Sequence, residues 1–76
     1  MTPTQCRSAR GMPLMTQWQL AQAADVPRGV IIDFELSSLP PKPEYLEAMR
    51  RILEEAGVEF VDVGERPGVR LRERGK

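Results

Sequence analysis

The sequence predicts a mainly α domain of about four helices, closed by a C-terminal β-hairpin. Three observations predict it. Two capping-box patterns, Thr2-Pro3-Thr4-Gln5 and Thr16-Gln17-Trp18-Gln19, mark helix starts. A long amphipathic stretch over residues 43–56 carries apolar residues at helical spacing and meets Gly57 as its stop. Two short alternating segments, 58–63 and 69–72, flank the turn Gly64-Glu65-Arg66-Pro67-Gly68. The chain of 76 residues reads as one domain, with a helical part over 1–57 and the hairpin over 58–74.

Taken in order, Thr2 caps the first helix, Pro3 suits its first turn, and Gln5 completes the box. Cys6, Ala9 and Arg10 then fall on neighbouring turns, and Gly11 and Pro13 end the helix. The second helix runs through Leu20, Ala21 and Ala24, small enough for close helix packing. Asp25 takes the turn, where a residue tolerant of left-handed backbone is useful. Pro27 opens a third helix that runs to about Leu36, with Ile31 and Phe34 facing the core. Residues 37–43 hold three prolines and read as a loop. In the fourth helix Leu46, Met49, Leu53 and Ala56 form one stripe, widened by Ile52. A lone hairpin is marginal in water, so this one must pack on the helices, pair with a second copy, or both. A homodimer and a monomer therefore both remain open.

Composition excludes much chemistry. The single cysteine forbids an internal disulfide, and the absence of histidine removes the usual zinc ligands and His-based acid–base or triad catalysis. No enzyme activity, metal, cofactor or small-molecule ligand is expected. No apolar run approaches a membrane span, and the start lacks a basic and apolar leader, which points to the cytoplasm. Net charge is zero.

Two short helices about a tight turn suggest a helix-turn-helix. The chain resembles small bacterial regulators of the Cro/C1-type, xenobiotic-response-element class, whose fold is lambda-repressor-like. The likeness covers nearly the whole chain. It rests on Thr2-Pro3, Gln5-Cys6-Arg7, Ala9-Arg10, Thr16-Gln17, Leu20-Ala21, Ala24, Val26-Pro27, Ile31, Phe34-Glu35 and Pro41. Leu46, the run Leu53-Glu54-Glu55-Ala56-Gly57-Val58-Glu59-Phe60 and the tail Pro67-Gly68-Val69-Arg70-Leu71 complete it. The resemblance implies that Gln17 lies near a DNA phosphate and that the third helix enters the major groove. Arg28, Gly29, Ile32 and Asp33 would then stand at base-reading positions. It also implies a structural ion pair between Arg10 and Glu35.

The DNA-reading face departs from that pattern. Val30 stands where the class prefers a hydroxyl, Ile32 is apolar at an exposed position, and Asp33 is an anion aimed at phosphates. After Glu35 the class carries cations and a glycine; here the chain reads Leu36-Ser37-Ser38-Leu39, with Ser37 in the glycine's place. Across residues 16–45, the cations Arg28 and Lys42 face the anions Asp25, Asp33, Glu35 and Glu44, a net of −2. Counterion release drives non-specific DNA binding, so each missing cation removes affinity.

Apolar residues replace the charge: Trp18, Val30, Ile32, Leu36 and Leu39. Exposed apolar clusters mark interaction surfaces, and Trp is favoured at their centres. The leading expectation is therefore a transcription regulator whose altered face binds a protein. It would act as an antiactivator that occupies a transcriptional activator. Small antiactivators that control transfer of integrative mobile elements have this general look. The other reading is a dimeric repressor on operator DNA, keeping Gln17 and Arg28 as contacts. Bland readings stand beside these. Trp18 can turn inward to fill the core, Val30 and Leu36 can be half-buried, and Arg28 can be a plain solvated cation. Cys6 reads as a small buried apolar residue. The series Arg70, Arg72, Arg74 and Lys76 can meet phosphate or an acidic partner, or, as the plainest reading, form a charged edge that blocks aggregation.

Overall fold

The computed structural model describes residues 1–61 and 68–71. Four helices, α1 (Pro3–Gly11), α2 (Gln17–Ala24), α3 (Arg28–Glu35) and α4 (Pro43–Glu55), precede strands β1 (Val58–Val61) and β2 (Gly68–Leu71). The remaining residues of the expected hairpin, with Arg72, Arg74 and Lys76, lie outside the described residues.

Both capping boxes form. The Thr2 hydroxyl accepts from the Gln5 amide at 3.1 Å while the Thr2 amide donates to Gln5 Oε1 at 2.9 Å. Thr16 and Gln19 repeat the exchange at 3.0 and 2.9 Å. Each box satisfies two amides that a helix start would otherwise leave unpaired.

The helix ends share a device that the sequence shows less plainly. Leu14, Asp25 and Ser37 all adopt left-handed backbone, with φ of 58°, 57° and 60°. Each sits where two amides fold back onto the last turn. Around Ser37, the Ser37 amide donates to Phe34 O at 2.9 Å and the Ser38 amide to Asp33 O at 2.8 Å. Around Asp25, the amides of Asp25 and Val26 donate to Gln22 O and Ala21 O. Around Leu14, those of Leu14 and Met15 reach Gly11 O and Arg10 O. These are glycine-type exits made without glycine. Gly57, with φ of 102°, is the one glycine among the described residues that takes positive φ. The expected end at Gly11 holds, and the left-handed residue follows at Leu14, after one further turn.

One core collects Cys6 and Ala9 of α1, Leu20, Ala21 and Ala24 of α2, and Val26 of the turn. It also takes Ile31 and Phe34 of α3, Met49 and Leu53 of α4, and Val58 of β1. Leu20, Ile31, Met49 and Leu53 are fully buried, and each such side chain contributes about 1.5–3 kcal/mol of transfer free energy. Leu46, Ile52 and Phe60 pack against this core from its edge.

The two strands pair antiparallel, with Glu59 opposite Arg70 and Phe60 opposite Val69. The hairpin is not left to itself. β1 lies on α4 and β2 on α1. The buried Gln5 amide donates from Nε2 to Gly68 O at 3.0 Å, which ties the first helix to the last strand. Arg50 stacks 4.8 Å from the Phe60 ring centre. Across the strands Arg70 Nε meets Glu59 Oε1 at 2.6 Å, so Arg70 is partnered as well as exposed. Among the described residues, no helix is long and apolar enough to cross a membrane.

Candidate interaction face

The face is built on one buried carboxylate. Glu35, the last residue of α3, is 3% exposed. Arg10 of α1 grips it with two bonds, Nε to Oε2 at 2.7 Å and Nη2 to Oε1 at 2.8 Å. Gln17, first residue of α2, donates from Nε2 to Oε1 at 3.0 Å. The Cys6 thiol donates to Oε2 at 3.3 Å. Arg10 Nη1 also reaches Met15 O at 3.0 Å, and Arg7 donates to the Glu35 carbonyl. Three helices are therefore joined at one side chain. No buried side-chain nitrogen or oxygen among the described residues lacks a partner.

Burial alone pushes the Glu35 pKa up. The hydrogen bonds from Arg10, Gln17 and Cys6, with the charge of Arg10, outweigh it and hold the carboxyl below its ordinary value. The Arg10 guanidinium is raised by its bond to Glu35. Burial, the bond to Glu35 and that residue's charge push the Cys6 thiol up to about 12. Cys6 is thus a buried thiol as expected, but a hydrogen-bonding one.

The residues singled out in the sequence do not share one flat surface. Gln17, Ile32 and Leu36 line one hollow with Arg7, Arg10, Thr16 and Glu35. Trp18 and Arg28 line another with Ala21, Gln22, Asp25, Val26, Pro27 and Tyr45. Trp18 is 53% exposed, so it does not fill the core. Leu36 and Leu39, at 68% and 63%, are also exposed. Leu14, which the sequence did not single out, is the most exposed large apolar residue among the described residues, at 85%, in a left-handed turn.

One expectation needs correction. Ile32 is half-buried rather than exposed, because it lies in the wall between α3 and the start of α2. Val30 is half-buried and packs against the core, the blander of its two readings. The Gln17 side chain donates from Nε2 to Glu35, a contact beyond completing the helix start. Asp33 is half-buried, with its carbonyl closing the end of α3. Arg28 and Gly29 are exposed in the first turn of α3, and a Cβ on Gly29 would meet nothing within 4 Å.

Among the described residues, no group of three or more His, Cys, Asp or Glu side chains comes together as a metal site would need. No family model matches the chain, and no curated protein resembles it at a significant level.

Proposed function

We propose that this protein is a transcription regulator with a Cro/C1-type helix-turn-helix fold that acts by binding another protein. Its partner would be a transcriptional activator, held in a complex that engages neither DNA nor polymerase. The observation that carries the reading is the exposure of Trp18, Leu36 and Leu39 on a segment with a net charge of −2. A surface of that kind gains by burying apolar area, and, with Glu35 buried against Arg10, it offers a polyanion few cations rather than a strong repulsion.

One observation favours operator DNA instead: Arg28 stands exposed at the head of α3 and makes no ion pair with any described residue. An amide-resolved NMR titration with a random DNA duplex at low salt separates the two. The protein-binding reading expects no movement of the peaks of residues 17 and 28–33. Shifts there that revert on adding salt would replace it with the DNA reading. Leu36→Lys, at an exposed site, is expected to abolish capture of the activator while leaving the amide spectrum folded.

A further inference from the structure

Where α3 passes to α4 the chain reads Leu39-Pro40-Pro41-Lys42-Pro43. Each proline fixes its own φ near −65° and holds the residue before it out of the α region. Lys42 has φ −60° and ψ 148°, which are polyproline II values. Residues 40–42 form neither helix nor turn. A polyproline II segment turns once in three residues, and the burial here follows that period. Pro40 and Pro43, one turn apart, are exposed, as is Lys42, while Pro41 is half-buried. The Pro41 edge therefore lies toward the domain and the other two edges face outward. Leu39, also exposed, leads into the segment. The backbone has acceptors to offer. No described residue donates to the carbonyls of Leu39, Pro40 or Pro41, whereas the Lys42 carbonyl accepts from the Tyr45 and Leu46 amides and so starts α4. Pro40 and Pro41 carry no N–H, so the segment cannot join a sheet edge as an added strand.

We propose that residues 39–43 are a polyproline II ligand, read by a partner domain whose groove is walled by aromatic rings. Pro40 and Pro43 seat between the rings, and indole or phenol donors of the groove bond the open carbonyls. An acidic rim meets Lys42, which makes no ion pair with any described residue and stands 5.9 Å from the Tyr45 ring centre. The prolines set the bound conformation in advance, so docking costs little ordering of the chain. This rests on protein binding but not on the partner's being an activator, and it adds a contact to those of Trp18 and Leu36.

The test is selection of two displayed proline-reading scaffolds, a WW and an SH3 domain with randomised groove rims, on the full chain in near-physiological salt. The expected result is enrichment of domains that keep the groove aromatics and carry Asp or Glu on the rim. The selected domains should bind Pro40→Ala and Lys42→Glu at least tenfold more weakly, and should lose binding when their groove aromatics become Ala. Pro40 is exposed and the Lys42 side chain makes no capping bond, so both variants should stay folded. A thermal melt of each separates lost recognition from lost folding. Selected domains that bind Pro40→Ala unchanged would overturn the proline ligand and leave protein binding standing. No enriched domain would overturn it too, and the duplex titration above then decides the wider reading by itself.

Discussion

The Glu35 carboxylate and the Arg10 guanidinium meet as a fork, with Nε 2.7 Å from one oxygen and Nη2 2.8 Å from the other. The pair joins the ends of α1 and α3, and Gln17 brings the start of α2 to the same point. Paired geometry of this kind matters most when one partner is lost. Arg10→Ala leaves a buried carboxylate uncompensated and should destabilise the domain by about 3 kcal/mol, a large share of what a small domain has. Joint replacement by Arg10→Met and Glu35→Leu should cost far less. Urea denaturation of both variants checks the difference; equal losses would show that the charge itself is unimportant.

The same cluster sets the pH response. Glu35 is held below its ordinary pKa, so its contribution is complete above the unfolded value and is lost as pH falls through the folded one. Stability should therefore decline on acidification, and Glu35→Gln should flatten that decline while lowering stability near neutral pH. Cys6 works in the opposite sense. Its thiol is raised to about 12, so its share is present below the ordinary thiol pKa and lost as pH climbs toward 12. Cys6→Ala should remove part of the alkaline decline, and the wild-type thiol should react slowly with alkylating reagents at pH 8.

Leu14 and Ser37 hold left-handed backbone that glycine adopts without steric cost. Ser37→Gly and Leu14→Gly should each stabilise the domain by about 1 kcal/mol, or about 4–8 °C in Tm for a chain this size. Gly57→Ala should destabilise by a similar amount. Thermal melts of the three variants are enough; a fall in Tm for Ser37→Gly would argue against the left-handed exit.

Gly29 lies in the first turn of α3, and an added methyl meets open space. Gly29→Ala should gain roughly 0.5–1 kcal/mol from helix propensity. The amide spectrum should change only around α3.

Trp18 is about half exposed, so its emission should be red-shifted and accessible to acrylamide. Trp18→Ala should cost no more than about 1 kcal/mol of stability yet weaken partner binding strongly. A loss of folding comparable to a core deletion would return Trp18 to the core.

Local signals made most of the fold legible. Thr2 with Gln5, and Thr16 with Gln19, are capping pairs that need only four residues of context. The α4 stripe and Gly57 are likewise periodic and local. What escaped depends on tertiary placement. Nothing near Gln17 in the chain announces that its amide turns to Glu35, 18 residues away. Ile32 looks exposed by position on α3 alone and is half-buried in the hollow that α3 forms with the start of α2. Leu14 was overlooked because Gly11 and Pro13 are stronger breakers on paper, yet the fold-back onto Arg10 and Gly11 selects the residue between Pro13 and Met15. The Arg10–Glu35 fork came from resemblance rather than from spacing, since 25 residues separate the two.

The bond from Gln5 to the Gly68 carbonyl spans 63 positions. During synthesis the first helix would leave the ribosome long before that acceptor exists. Until Gly68 emerges, the Gln5 amide and the side of α1 that β2 covers stay open to water. Nascent chains halted before β2 should thus be recognised by chaperones and cut by protease, and chains extended past Gly68 should resist both.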